Sequence, residues 1–249
     1  MAKRNWLLVA GLAALLLLLP GQALAASPLP GPSGTSVAHA LQTNPQISLL
    51  ALLSLLAVLP GVVLLMTSFT RIVVVLSLLR TALGLNQVPP NQVIIGLALF
   101  LTFFTMAPTL SKVETTAVTP YLSGRITVTE AASRAETPVK QFLAAGTRQQ
   151  DLAIFLAAQS GKSQVTSLKN VPLTALVPAY TISQLTIAFE MGVLLFVPFV
   201  IIDFIVASVL MALGMMMVPP TLISLPLKLL LFVLMNGWGL VVQTLLSMH

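Results

Sequence analysis

The sequence predicts an all-α integral membrane protein composed of helical hairpins and a small helical domain outside the cytoplasm. Of its 249 residues, 57% are hydrophobic and 7% are charged, whereas about a quarter of the residues in soluble domains are charged. Two uncharged runs, Ile47–Met66 of 20 residues and Val93–Leu110 of 18 residues, are each long enough for a helix to cross the hydrocarbon core. Most of the chain is therefore expected to lie in lipid.

Composition excludes several classes of function. The net charge of +6 comes from 12 basic and 6 acidic residues that are spread thinly along the chain, without the basic clusters that bind nucleic acid. The chain has no cysteine and two histidines, so disulfides and cysteine- or histidine-rich metal sites are not expected. Phosphate-binding loops and nucleophile elbows are also missing from the sequence. We therefore expect no cofactor, no nucleic-acid partner and no enzymatic activity.

Residues 1–25 have the features of a cleavable signal peptide. Two basic residues precede the apolar stretch Trp6–Leu19, and the small residues Ala23 and Ala25 mark the expected cleavage site. The alternative is a first anchor helix, but the 14 apolar residues are fewer than the ~20 that a membrane span needs. Residues 26–46 are rich in Pro, Gly and Ser, which predicts an unstructured spacer. The mature chain is then expected to start outside the cytoplasmic membrane.

The rest of the chain divides into three predicted parts. Residues 47–110 form a first hydrophobic helical hairpin, residues 111–180 a polar helical domain, and residues 181–249 a second hydrophobic helical region. With the leader removed, the first span runs inward and places Arg71 and Arg80 on the cytoplasmic side, in agreement with the positive-inside rule. The polar domain is then expected on the periplasmic side.

The polar domain carries two signals for helix starts. Thr127 stands three residues before Glu130, the spacing of a capping box. Thr137 and Pro138 have the order of an N-cap residue and a first-turn proline. The sequence therefore predicts a helix start at each of these points.

The second hydrophobic region is too long for one straight span. Its apolar part of 62 residues would reach roughly three bilayer thicknesses as a single helix. Breaks are predicted at Pro198 with Asp203, and again at Pro219 and Pro220. The piece between them, Phe204–Met217, then reads as a broken or re-entrant helix, which is stable at membrane depth only inside protein or beside a cavity.

Three consecutive methionines, Met215, Met216 and Met217, end this piece. Methionine is the most flexible apolar side chain, so such a cluster specifies a fixed packing poorly and a deformable surface well. A second interpretation is that these side chains fill an irregular core beside the proline bend. The residues alone leave both interpretations open.

A short sequence similarity occurs in both hydrophobic regions. Pro89 and Pro90 lie in Val88–Asn91, which resembles Val218–Thr221, and each is followed by a hydrophobic segment. Transporters built from internal repeats show such paired interruptions. The similarity favours remotely repeated hairpins whose break points meet.

Five ionisable side chains lie inside apolar sequence. Each costs several kcal/mol if it is left alone in lipid, so each should be paired, reach water or contact another subunit. A proton or ion relay is the functional alternative to structural pairing. The five residues are Arg71, Arg80, Glu190, Asp203 and Lys228.

Long strings of the sequence carry a family resemblance. They read MTSFTRIVVVLSLLRTALG, VPPNQVIIGLALFLTFFTMAP and IIDFIVASVLMALGMMMVPP, followed by LPLKLLLFVLMNGW. These strings resemble the FliP/SctR family of type III secretion export-gate subunits. The resemblance covers nearly all of residues 47–246.

The resemblance implies a function and a set of partners. It implies a pentameric ring of this chain, joined by FliQ and FliR subunits into a helical conical assembly in the basal body of the bacterial flagellum. It also implies the cytoplasmic membrane as location, FlhA and FlhB as further export components, and unfolded flagellar proteins as cargo. Met215, Met216 and Met217 would then form the gasket of a closed export pore.

One stretch departs from the family pattern. Members of the family usually read S-E-L-K-x-A-F-Q-I-G where this chain has Ser183 followed by Gln184 and, later, Glu190 before Gly192. Any role of the family glutamate therefore cannot be carried over to Gln184. Two other functions stay open: the related gate subunit of virulence injectisomes, which commonly lacks the leader and spacer, and an ion or solute transporter built on broken helices.

Overall fold

The computed structural model describes residues 45–85, 87–160, 171–215 and 217–247. The predicted signal peptide with Ala23 and Ala25, and nearly all of the predicted spacer, lie outside these residues. By its contacts the chain divides into two units, residues 1–63 and residues 64–249.

The described residues fold into α-helices without a strand, which confirms the predicted all-α class. A five-residue π-helix, Glu114–Val118, follows α3 without a break. The helices are α1 (Pro45–Leu65), α2 (Phe69–Ala82), α3 (Asn91–Val113), α4 (Thr119–Leu122), α5 (Val128–Ala145), α6 (Gln149–Ser160), α7 (Leu173–Ala212), α8 (Pro220–Leu234) and α9 (Gly237–Ser247).

Two helical segments are long and apolar enough to cross a membrane by themselves. They are the 32 residues Asn91–Leu122 and the 40 residues of α7. The pairs α1 with α2 and α8 with α9 meet the same criterion when each bent pair is taken as one span, which would give up to four spans. The predicted membrane protein is therefore confirmed, and its long spans are more continuous than the sequence pattern suggested.

The first unit contains residues 45–63 of α1 among the residues described. Its side chains are apolar on every side of the helix and mostly exposed. A helix that is apolar all round is stable only in lipid or inside a larger assembly. Its composition therefore marks α1 as a lipid- or partner-facing helix.

Helix α2 is the centre of the second unit. It contributes a run of buried apolar side chains at helical spacing, among them Ile72, Val75, Leu76 and Leu79. Helices α3, α7, α8 and α9 supply the other buried side chains of this core. Because α2 is short and enclosed, the position of its two ends determines where the neighbouring loops lie.

A second, smaller core joins the polar part of the chain to α7. Leu143 of α5 packs with Val171, Leu176 and Tyr180, all of which are buried. Phe142 lies beside Tyr180 with ring centroids 5.9 Å apart. The polar helices therefore rest on the first half of α7.

The predicted break at Pro198 and Asp203 is wrong, because α7 runs without interruption from Leu173 to Ala212. A proline removes one helical hydrogen bond and bends a helix, but packing of the flanking apolar side chains can keep the helix continuous. The chain breaks only after Ala212, where the methionines stand. Phe204–Met217 is thus mostly the end of a long helix and not a separate re-entrant piece.

One of the two predicted helix starts in the polar part is confirmed. Thr127 caps α5, with its side-chain oxygen accepting a hydrogen bond from the Glu130 amide at 3.3 Å. The start at Thr137 and Pro138 is wrong, because both residues lie inside α5. The division into parts at residues 110 and 180 stays a prediction, and α3 with its extension and α7 run across both boundaries.

Gly192 is a point of close contact between α7 and α2. It is buried, and a Cβ atom there would overlap the side chain of Leu78. Gly96 on α3 is the opposite case, since a Cβ atom at this position meets nothing within 4 Å. The absence of a side chain at Gly192 therefore leaves room for Leu78 of α2 against α7.

We expect Gly192→Ala to destabilise the protein by about 1–3 kcal/mol, the usual cost of overpacking a core. Gly96→Ala should be neutral or slightly stabilising, because alanine is the better helix former. Thermal unfolding of the two variants in the same detergent measures the difference. Equal melting temperatures would show that α2 and α7 are not held in this close contact.

Candidate functional site

The methionine segment begins at a regular helix end. Gly214 adopts φ +74°, which glycine reaches without steric cost. The Gly214 amide donates to the Met211 carbonyl at 3.0 Å, and the Met215 amide donates to the Leu210 carbonyl at 3.0 Å. This αL helix end turns the chain out of α7, and α8 begins six residues later at Pro220.

The methionine side chains project from this loop. Met215 is 45% exposed and Met217 is 96% exposed, whereas Met216 lies outside the described residues. Filling of the chain's own core does not fit Met217, because that side chain contacts almost nothing in its own subunit. The segment is an exposed apolar tip at the end of a long helix, with the flexibility of the thioether side chain.

Lys228 ties three helices together close to this loop. Its ammonium group lies 2.6 Å from Asp203 Oδ2 on α7 and donates to the Ala82 carbonyl at 3.3 Å. Ser224 of α8 donates to the other Asp203 oxygen at 2.6 Å. The Lys228 side chain is 6% exposed and that of Asp203 is 37% exposed. We call this group of residues the Lys228 clamp.

Arg80 holds the first proline loop. Its guanidinium donates to Asn91 Oδ1 at 2.7 Å and to the Pro89 carbonyl at 3.3 Å. Gly84 of the same loop lies against Leu225, since a Cβ atom built on Gly84 would be 3.5 Å from Leu225 Cδ1. Because Leu225 lies in the second turn of α8, Pro89 and Pro90 lie at the same end of the second unit as Pro219 and Pro220.

Among the residues that the structure describes, Arg71 is the most deeply buried basic side chain. It is 1% exposed and donates to the Leu245 carbonyl at 3.4 Å, in the last turn of α9. The last carbonyls of a helix lack helical partners and carry partial negative charge. Tyr180 and Ser68 lie beside Arg71 in this polar centre. Arg71 therefore joins α2 to the chain's last described helix.

Glu190 lies at the surface of α7 and has a cationic partner. Its side chain is 59% exposed and lies 2.8 Å from Arg148. The polar loop before α6 packs beside this part of α7 and brings Arg148 within reach of Glu190. Glu190 and Asp203 are 13 residues apart, about 20 Å along a helix, and each has its own cationic partner. A carboxylate relay along α7 does not fit this arrangement.

The same loop region contacts Gln184, which departs from the family pattern, and its neighbour Ser183. Gln184 is fully buried and its amide group donates to the Gly146 carbonyl at 2.9 Å. Ser183 accepts a hydrogen bond from the Arg148 amide at 2.9 Å and donates to Asp151 at 2.5 Å. At position 184 the family pattern has a glutamate, whereas in this chain the neutral Gln184 amide binds a backbone carbonyl.

Sequence reasoning missed two members of these polar groups. Ser224 precedes Lys228 by four residues and so lies on the same helix face, a signal that was available. Arg148 offered no comparable signal, because its partner Glu190 is 42 residues away. Among the residues that the structure describes, no group of three or more His, Asp or Glu side chains could hold a metal ion.

Comparisons with known proteins agree with this architecture. A model of the FliP family matches residues 52–245. The flagellar biosynthetic protein FliP of Bacillus subtilis is 55% identical over 202 residues, which are 81% of this chain and 90% of the relative. The protein of that name from Pectobacterium carotovorum is 48% identical over 227 residues, 91% of this chain and 84% of the relative. The protein of that name from Aquifex aeolicus is 48% identical over 204 residues, 82% of this chain and 85% of the relative.

The matched residues include both proline loops, the Lys228 clamp and the whole of α7. The match therefore covers the described helical core as well as the methionine segment. The chain belongs to the FliP family.

Proposed function

We infer that this chain is the pore-forming core subunit of the flagellar type III protein export gate, which passes unfolded flagellar proteins across the cytoplasmic membrane. The observation that carries the proposal is the exposure of Met215 and Met217 after the end of a 40-residue apolar helix in a member of the FliP family. The relatives from Bacillus, Pectobacterium and Aquifex are flagellar biosynthetic proteins. A transport role of this kind needs no catalytic group.

The pore requires several copies of the chain. A single bundle of this size has no room for a polypeptide channel, and α7 leaves large apolar side chains such as Leu194 and Phe204 74% exposed. The basic side chains do not require a second copy as a partner. Arg71, Arg80 and Lys228 already contact groups of their own chain. The exposed apolar faces support a ring of copies, and a pentamer is the proposed size.

The partners follow from the same proposal. FliQ and FliR subunits would complete the ring assembly, and FlhA and FlhB would act beside it in the export machinery. Membrane lipid would cover the outer apolar faces. The polar helices α5 and α6 would lie on the periplasmic side, as expected if removal of the leader lets the first span run inward.

The methionine segment suits a gate that changes its diameter. A resting pore must close on itself to retain ions, and an open pore must fit side chains of every size. Unbranched thioether side chains can repack in both states, whereas branched or aromatic side chains favour one packing. Met217 projects free of its own subunit and Met215 is partly exposed, so both can contact other copies or the substrate.

The two alternative functions are weaker. An injectisome gate subunit would share the fold, but the relatives from all three bacteria carry flagellar names. A solute transporter needs polar groups at its helix breaks. The break after α7 instead presents Met215, Met217 and Val218, so it offers no binding site for a polar solute.

Replacing Met215, Met216 and Met217 together by alanine should break the seal and leave assembly intact. The substitution removes the long side chains from a loop that the subunit's own core does not need, so the resting pore should leak ions. Substitution by leucine should restore the seal and impair export, because leucine is of similar size and less flexible. Conductance of membranes, or growth arrest in media rich in small solutes, measures the leak.

Met211→Ala is the matched control for this experiment. Met211 is also an exposed methionine, at 59%, but it lies on α7 before the loop. Its variant should remain sealed. An assembled complex of the alanine triple variant without any leak would contradict the gasket assignment.

The Lys228 clamp should behave as a coupled pair. Asp203→Asn leaves the Lys228 ammonium group buried without its carboxylate, and the loss of one partner of a buried pair costs about 3–5 kcal/mol. The double variant Asp203→Asn with Lys228→Met removes the unpaired charge and should recover most of that loss. Thermal unfolding of the wild type, Asp203→Asn, Lys228→Met and the double variant in one detergent gives the coupling energy.

Glu190→Gln is the control, because it breaks the exposed pair with Arg148, which is worth about 0–1 kcal/mol. If the losses of the two single clamp variants simply add in the double variant, the two side chains do not act as a pair.

A further inference from the structure

The similarity between the two proline loops belongs to a longer internal repeat. Ala82–Pro90 reads A-L-G-L-N-Q-V-P-P and Ala212–Pro220 reads A-L-G-M-M-M-V-P-P, so six of nine positions are identical at a constant offset of 130 residues. The three positions that differ are the three methionines of the second copy. The repeat therefore compares the methionine segment with Leu85–Gln87.

The two copies share the same kind of helix end, which is set at the glycine. Gly84 has φ +77° and Gly214 has φ +74°. The Leu85 amide donates to the Arg80 carbonyl at 3.1 Å, and the Met215 amide donates to the Leu210 carbonyl at 3.0 Å, the same spacing of five residues. In both copies a helix ends just before the glycine, and a new helix begins within one residue of the second proline. The repeat is thus structural and not a chance match of letters.

The repeat aligns Gln87 with Met217. Both side chains are exposed, and the two loops lie at the same end of the second unit, as the contact between Gly84 and Leu225 shows. Helix α7 continues for nine residues after Asp203 in the clamp, about 13 Å of helix. The methionine loop therefore extends farther from the Lys228 clamp than the first proline loop does. Gln87 accordingly lies closer to the clamp along the axis of α7.

The two loops differ in how they are held. Arg80 fixes the first loop through Pro89 and Asn91. The residue that corresponds to Arg80 in the second copy is Leu210, whose side chain has no group to donate such a bond. The first loop is therefore fixed to α2, whereas the methionine loop lacks that anchor.

We propose that Gln87 is a substrate-contacting residue that forms, with its counterparts in the other copies, a fixed polar collar behind the methionine gasket. The proposal rests on the proposed function of the chain as an export pore. An unfolded polypeptide that passes an apolar constriction loses water from its peptide groups, and unpaired peptide groups are costly. A glutamine amide offers both donors and an acceptor, so it can pair with the backbone of any sequence. Arg80 is the positioning residue of this collar.

Cysteine crosslinking tests the collar directly, because the chain has no cysteine of its own. Gln87→Cys, Met217→Cys and Leu194→Cys are introduced one at a time into otherwise unchanged chains in export-competent cells. A flagellar export substrate with one cysteine in its unfolded segment and a tightly folded fusion at its end is stalled in the gate. Mild oxidation then forms disulfides, and the products are resolved by size.

The expected result is a substrate adduct at position 87 of the same order as that at position 217. No adduct above background is expected at position 194, an exposed position on the apolar face of α7. An adduct at 217 without one at 87 would overturn the collar and leave the export pore standing. Adducts at neither position in an assembled complex would contradict the export pore and the collar together.

The role of Arg80 has a separate readout. Arg80→Ala should lose most of the adduct at position 87 and retain the adduct at position 217, because only the first loop depends on Arg80. Arg80→Lys should recover part of the adduct at 87, since a lysine can make one of the two hydrogen bonds. Unchanged crosslinking at 87 in Arg80→Ala would show that Arg80 does not position the collar.

Discussion

The contact of the Lys228 ammonium group with Asp203 and with the Ala82 carbonyl is the interaction on which the geometry of the site depends. It joins the end of α2, the last third of α7 and the middle of α8 in one place. A buried cation in an apolar core is stable only with such partners. As a result the two proline loops lie at one end of the unit, and α7 presents the methionine segment beyond them.

The other basic side chains follow the same physical rule. Arg71 binds the Leu245 carbonyl at the end of α9, and Arg80 binds the Pro89 carbonyl in the first loop. Carbonyl groups at helix ends and in loops lack helical partners, and lipid offers them none. A cation paired with such a carbonyl satisfies both groups at once. The few charges of this apolar chain therefore fix helix ends, while the exposed apolar faces remain for lipid and neighbouring subunits.

Much of the fold could be predicted from the sequence, because long apolar runs and the capping signal at Thr127 are local features. The continuity of α7 through Pro198 could not be predicted, since whether a proline ends a helix depends on the packing around it. The exposure of Glu190 could not either, because its partner Arg148 comes from a distant loop. For the site, the methionines, the prolines and the full length of the internal repeat are all readable in the sequence. The clamp geometry became clear only with the helix ends in place, because its three groups come from distant helices.

The central claim is that several copies of the chain enclose one pore with their methionine loops at its narrowest point. Native mass spectrometry of the particle extracted in mild detergent, together with its partner subunits, tests this claim most directly. The account predicts one species that contains several copies of this chain, with five as the proposed number. A monodisperse particle with a single copy would contradict it, because one chain with these helices cannot surround a polypeptide.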